Sequence, residues 1–290
     1  MGPLGNPFVA HAFIWAPAWT ETAIRDAIDR AAAIGFDGIA VPLRDPAAVP
    51  AEAVARWCAA AGIRPYATSG GRPDADISSA DPAVAARGAE RLALAIAKAR
   101  DLGAAHLGGV LYGAMMKYPG RAAPGTRERA AATLAALAGR AAASGIVLAL
   151  ECVNRYESNL LNTAAQGRNF VAMVGAANVR LHLDTYHLNI EERDAAAAIL
   201  DSAAELGFME FGESHRGALG QGSVDIRGAV RALVAIGYRG PIGLEAFSTG
   251  VNDPTVGDLL SIWRDVYDDP DRLAREAKAL LESEFAKART

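Results

Sequence analysis

Four acidic residues close four successive apolar runs. Glu151 follows Ile146–Leu150, Asp184 follows Leu181-His182-Leu183, Glu210 follows Phe208-Met209, and Glu245 follows Pro241–Leu244. Short apolar runs of this kind read as buried strands. A carboxylate ending a buried strand is costly unless paired or bound to a cation. One alone is explained by a salt bridge to a neighbouring strand. Four in succession repel one another and force protons onto their neighbours. Mn²⁺, Mg²⁺ or Co²⁺ would remove that repulsion, since hard oxygen donors suit those ions. Glu151, Asp184, Glu210 and Glu245 are therefore the expected metal ligands.

Other polar groups cluster beside these positions. His187 follows Asp184 in what reads as a loop; it either makes a loop hydrogen bond or binds a substrate hydroxyl or carbonyl. Asn189 fits a cap on the following turn. Arg216, in Gly212-Glu-Ser-His-Arg-Gly217, offers a donor fork for sugar oxygens, and Gly217, Gly220 and Gly222 let the chain turn sharply around a ligand. His182 lies two residues before Asp184, so both point to one side of a strand. It is either a core histidine bonded to a neighbour or a partner that orients Glu210.

The elements that must position these groups repeat eight times. Strands are expected at Val9–Ile14, Gly38–Val41, Arg64–Thr68, Ala105–Val110, Val147–Glu151, Arg180–Asp184, Phe208–Gly212 and Ile242–Glu245. Helices are expected at Thr20–Ile34, Pro50–Ala61, Asp81–Leu102, Arg127–Ala143, Thr163–Val174, Asp194–Leu206, Asp225–Ile236 and Pro270–Ala286, most of them ended by glycine. Strand and helix in alternation imply parallel strands joined by crossovers. Eight units predict a single α/β (β/α)8 TIM barrel over residues 1–290, with chemistry at the strand ends that carry the acids. A doubly wound sheet is disfavoured because no Gly-rich phosphate turn follows the first strand. Tyr112, Met115, Met116 and Tyr118 either form an apolar lid or pack on the barrel.

Composition excludes several classes. The chain has 290 residues, 51% of them hydrophobic, and a net charge of -4 without a basic block, which argues against nucleic acid and anionic membranes as partners. No apolar run reaches a membrane span and no signal-type segment opens the chain. Cys58 and Cys152 form neither a disulfide framework nor a zinc pair. A cytoplasmic, soluble protein is expected.

The chain resembles the ketose 3-epimerases, the D-psicose/D-tagatose 3-epimerase family of xylose-isomerase-like barrels. The resemblance spans nearly the whole chain. It rests on Glu151-Cys-Val-Asn-Arg-Tyr-Glu157, Leu161-Asn-Thr-Ala-Ala165, Leu183–Glu192, Gly212–Arg216 and Leu244-Glu245. It implies a divalent ion, Mn²⁺ first and Co²⁺ or Mg²⁺ next, on Glu151, Asp184 and Glu245. It implies that Glu151 and Glu245 are catalytic and move a proton at C3 from opposite faces. It implies that Glu157, His187 and Arg216 bind the substrate at O1 to O3, and that the protein is a homodimer or homotetramer. The departure is at Glu210, where the family pattern His-x-His-x-Gly-Glu-Ser carries its second histidine.

The expected reaction is inversion of C3 of a free ketose through an enediolate. The same barrel also suits a keto-glycoside epimerase or lyase, or a sugar or inositol isomerase. A phosphorylated substrate is disfavoured because the sequence shows no phosphate nest or basic pair. A sugar-binding relic would not need Glu151, Glu157, His187, Arg216 and Glu245 together. An endonuclease-type site would need more histidine than His187 and His215 at the mouth.

Overall fold

The computed structural model describes residues 5–17 and 20–289. Eight parallel strands close in sequence order, with β1 (Phe8–His11) hydrogen-bonded to both β2 (Gly38–Pro42) and β8 (Ile242–Leu244). Between them run β3 (Arg64–Thr68), β4 (His106–Gly109), β5 (Val147–Glu151), β6 (Val179–Asp184) and β7 (Leu206–Phe211). Each is short and apolar because it is covered on both faces. The expected (β/α)8 barrel is the fold.

The helices outside the barrel are α1 (Glu21–Ile34), α2 (Ala51–Ala61), α3 (Pro82–Leu102), α4 (Thr126–Ala143), α5 (Ala164–Val174), α6 (Thr185–Glu191), α7 (Ala195–Asp201), α8 (Ile226–Ala235), α9 (Pro254–Leu260) and α10 (Pro270–Lys287). Their ends follow local chemistry. The Asp81 side chain accepts from the Ala83 and Val84 N–H groups at the start of α3, and Pro82 needs no donor there. At its end Gly103 takes a φ of 73° and returns its N–H to the Ala99 and Arg100 carbonyls.

Several expectations need correction. β1 stops at His11, and Ala12–Ile14 form a 3-10 turn whose Phe13 N–H bonds to His11 Nδ1. β8 stops at Leu244, one residue before Glu245. α7 covers only Ala195–Asp201 rather than reaching Leu206, because Ser202 turns the chain. Gly207 then lies within β7, where a Cβ would fall 2.5 Å from the Arg180 Cβ on β6. The segment after Asp184 is not a loop but helix α6, and α9 was not foreseen. Tyr112 is no lid residue. It is fully buried, edge-on to Phe170, and its hydroxyl donates to the Glu151 carbonyl at 2.8 Å.

Lower in the barrel, His106 stacks on Tyr66 at 5.5 Å and meets the edge of Phe208 at 6.2 Å. Burial, with the charges of His182 and Arg64, pushes its pKa down to about 4. The unfolded chain therefore binds the extra proton first, and stability falls as pH drops from about 6.5 toward 4. Denaturant titrations should show this residue removing about 1 kcal/mol between pH 7 and pH 5.5. His106→Phe should lose that share of the slope; an unaltered slope would refute the assignment.

Candidate active site

The strand ends open into a cavity of about 350 Å³. Glu151, Glu210 and Glu245 line it from β5, β7 and the residue after β8, joined by Glu157, His187 and Arg216. Asp184 is fully buried at the end of β6, in register with Glu210. All of the expected site residues thus converge on one end of the barrel.

Asp184 caps α6. Its Oδ1 accepts from the Tyr186 and Gly212 N–H groups, each at 3.0 Å, and its Oδ2 accepts from Arg216 Nη1 at 2.9 Å. Helix α6 carries His187 back over the cavity. Two donors, the Asn154 backbone N–H at 3.0 Å and Asn154 Nδ2 at 2.9 Å, face His187 Nδ1. That nitrogen must accept, so the proton of the neutral ring sits on Nε2, 3.3 Å from Glu151 Oε1. Burial works against a charge on this ring, but Glu157, Glu151 and Asp184 outweigh it and raise the pKa above the ordinary imidazole value; the two Asn154 donors at Nδ1 oppose that charge. His187, Glu151 and Asp184 stand close enough to surround an ion, but an Nε2 that bears hydrogen is a donor, not a ligand.

Glu157 is buried, with Oε1 accepting from Asn154 Nδ2 at 2.8 Å and Oε2 without a partner. Arg216 links the cluster. Nη1 donates to Glu245 Oε2 at 2.7 Å as well as to Asp184, and the guanidinium lies 3.6 Å from the centre of the Tyr186 ring. Its backbone φ is 62°, a left-handed conformation uncommon outside glycine.

His182 stands one layer below. Its Nε2 is 3.0 Å from Glu210 Oε2 and its Nδ1 is 3.9 Å from Glu151 Oε2, yet neither nitrogen makes a directed hydrogen bond. Glu151, His182 and Glu210 form a second group close enough to surround an ion. Two glycines make room for it. A Cβ on Gly108 of β4 would lie 3.3 Å from His182 Nδ1, and one on Gly243 of β8 would lie 2.7 Å from Glu210 Oε1.

The electrostatics are unequal. Burial opposes ionisation of Glu151, but His182, His187 and Arg216 hold its pKa down at about 2. Burial pushes Glu245 well above the carboxylate range, Glu210, Glu151 and Asp184 add to this, and Arg216 offsets only part. Burial opposes a proton on His182, yet Glu151 and Glu210 hold its pKa up at about 9. Five carboxylates therefore face two cations, Arg216 and His182. Burial and the surplus of carboxyl groups over cations raise Glu210 and Glu245 above the usual carboxylate pKa, and that surplus and the hard oxygen donors fit a divalent cation.

Sequence reasoning missed His11. It ends β1 and stands 3.7 Å from Glu245 Oε1 and 3.3 Å from Thr68 Oγ1. Its signal was the one that found the acids, a polar residue late in an apolar run. His215, expected at the mouth, lines an outer concavity with Trp263 that adjoins the cavity through Glu157 and Arg216. Asn189 caps nothing; it sits within α6 and its Nδ2 meets Ser223 Oγ at 3.3 Å.

The family model described as xylose isomerase-like TIM barrel matches residues 28–283. An L-ribulose 3-epimerase of Methylomonas sp. (strain DH-1) is 40% identical over 275 residues, 95% of this chain and 96% of that protein. A ketose 3-epimerase of Arthrobacter globiformis is 38% identical over 280 residues, 97% of each. The chain belongs to the ketose 3-epimerase family of xylose isomerase-like barrels. A crystal structure of D-allulose 3-epimerase from Methylomonas sp. in complex with D-allulose is similar at TM-score 0.94 and 39% identity, covering 98% of both chains. Against the family pattern quoted above, this chain presents Glu210 from β7 and an imidazole from the adjacent β6. Among the described residues, no helix is long and apolar enough to cross a membrane.

Proposed function

We propose that this protein inverts C3 of a ketose by a two-glutamate proton relay. The observation that carries the reading is that Glu151 and Glu245 enter one cavity from β5 and from the end of β8, three strands apart in the closed order. A substrate lying between them would offer one face to each. One glutamate removes the C3 proton and the other returns a proton to the opposite face. Arg216, with its fork, and His187, with its Nε2 hydrogen, hold the oxygens on C1 to C3. Glu157 accepts from a hydroxyl through its free Oε2. The Tyr186 face beneath Arg216 keeps the guanidinium in place.

Glu151, Asp184, Glu210 and Glu245 would hold a divalent ion, Mn²⁺ in this reading, which when bound would polarise the ketose carbonyl and acidify C3. Its support is the surplus of carboxylate over cation in the cavity. The test is to strip the protein with EDTA, add ketoses in D₂O and follow C3 by NMR with and without Mn²⁺. Metal-dependent deuterium uptake at C3 with appearance of the epimer is expected. Tight metal binding without exchange on any ketose would refute the reaction.

Glu210 adds a negative charge where the family pattern has a neutral ring. The extra anion favours harder ions. Glu210→His should therefore raise activity with Co²⁺ relative to Mn²⁺ several-fold, read as the ratio of initial rates; an unchanged ratio would count against the role given to Glu210.

A further inference from the structure

The family pattern quoted above places imidazoles at positions 208 and 210 of β7. This chain has Phe208 and Glu210 there. An imidazole comes instead from the next strand. His182 of β6 stands in register with Phe208 on one side and with Glu151 of β5 on the other. It is only 1% exposed, yet it lines the same cavity as Glu151, Glu210 and Glu245.

Hydrogen bonding does not explain the pose of that ring. Nε2 lies 3.0 Å from Glu210 Oε2 and Nδ1 lies 3.9 Å from Glu151 Oε2, but an N–H on either nitrogen would not point at its carboxylate. A core histidine held for packing pairs at least one nitrogen with a neighbour. The spacing to Glu210 is also that of neighbouring donors on one ion: at bond lengths of about 2.1 Å, adjacent ligands stand about 3 Å apart. One donor atom from each of Glu151, His182 and Glu210 lies within 4.8 Å of the other two. The ring is fixed from two sides. Phe208 packs edge-on to it at 4.8 Å, and Gly108 of β4, having no Cβ, leaves room beside Nδ1.

The other histidines of the cavity are already committed. The two nitrogens of His11 meet the Phe13 N–H and the Thr68 hydroxyl, each at 3.3 Å. His187 Nδ1 faces the two Asn154 donors, which leaves hydrogen on its Nε2.

We propose that His182 is a ligand of the divalent ion, so that the imidazole which the family pattern supplies from β7 comes in this chain from β6, beside Glu210. This rests on the reading above that Glu151, Asp184, Glu210 and Glu245 hold such an ion, and it adds a nitrogen donor to their oxygens. In the ion-free protein the ring counts among the cations; ligands bind without their proton, so a bound ion would take its place. A neutral nitrogen among carboxylates keeps the site open to Co²⁺, which gains more from imidazole than Mg²⁺ does.

Pulsed electron paramagnetic resonance of the Mn²⁺-loaded protein tests this directly. Modulation from a bound nitrogen is expected, and it should change when the histidines are labelled with ¹⁵N. His182→Gln should abolish it, whereas His11→Gln and His187→Gln should keep it. Should His182→Gln fold poorly, the other two variants assign the signal by elimination, since His11, His182 and His187 are the histidines lining the cavity. A His182 that only positioned Glu210 would give no such signal. Calorimetry adds the affinities: His182→Gln should weaken Co²⁺ binding by about 30-fold and Mg²⁺ binding by under about threefold. Bound Mn²⁺ without nitrogen modulation would overturn the proposal and leave the acids as ligands, as would modulation that survives His182→Gln. Absence of any Mn²⁺ binding would overturn both. Nitrogen modulation without exchange at C3 of any ketose would support this ligand and refute the reaction alone.

Discussion

Glu245→Gln should lower C3 inversion by about 10³-fold, and Glu151→Gln should do the same. Both amides keep the size and an oxygen donor, so metal content measured beside activity isolates the proton step. A further signature separates two bases from one. In a two-base relay each glutamate serves one face of C3. With one of them disabled, the survivor still exchanges the proton on its own side. Each variant should therefore wash deuterium into one epimer without producing the other, and the two variants should select opposite epimers. If either retains inversion within tenfold of the parent, or if both exchange the same epimer, the relay is wrong.

Arg216→Met should destabilise the metal-free protein by about 3–5 kcal/mol, because it removes one partner of a buried charge cluster. The guanidinium is only 3% exposed and lies 2.9 Å from Asp184 and 2.7 Å from Glu245. Without it those carboxylates keep only more distant cations and must take up protons or water. Urea titrations at neutral pH would read the change. A dication supplies positive charge to the same groups, so added Mn²⁺ should recover part of the loss in Arg216→Met. A loss under about 1 kcal/mol would mean the carboxylates are already largely protonated or hydrated.

The acids were legible in the sequence because strand ends are. Val147–Glu151 and Arg64–Thr68 were placed to the residue, since a buried parallel strand is a short apolar run with a glycine stop before it. Helix α6 was not legible. Seven residues give too little periodicity, although Asp184 was in place as its cap. That omission mattered, for α6 aims His187 Nδ1 at the two Asn154 donors that leave its hydrogen on Nε2. His11 was missed because one histidine in an apolar run has no partner in sequence. Arg44, Arg72 and Arg91, which line the same cavity, were invisible for a stronger reason. Arg44 belongs to the β2α2 unit and Arg72 and Arg91 to the β3α3 unit, and only the packing of neighbouring units puts them on one wall.

Gly108 and Gly243 set a constraint on how this site can be inherited. Space for His182 comes from β4 and space for Glu210 from β8, so the four positions sit on four different strands. Enlarging residue 243 would displace Glu210 from this pose, and enlarging residue 108 would press on His182 Nδ1 at 3.3 Å. Among descendants of this barrel the four should change as a set, and a graft of β6 and β7 alone into a relative with bulkier residues at 108 and 243 should arrive misfitted. The ancestry of this pocket is therefore recorded as much in two side-chain-free positions as in the acids themselves.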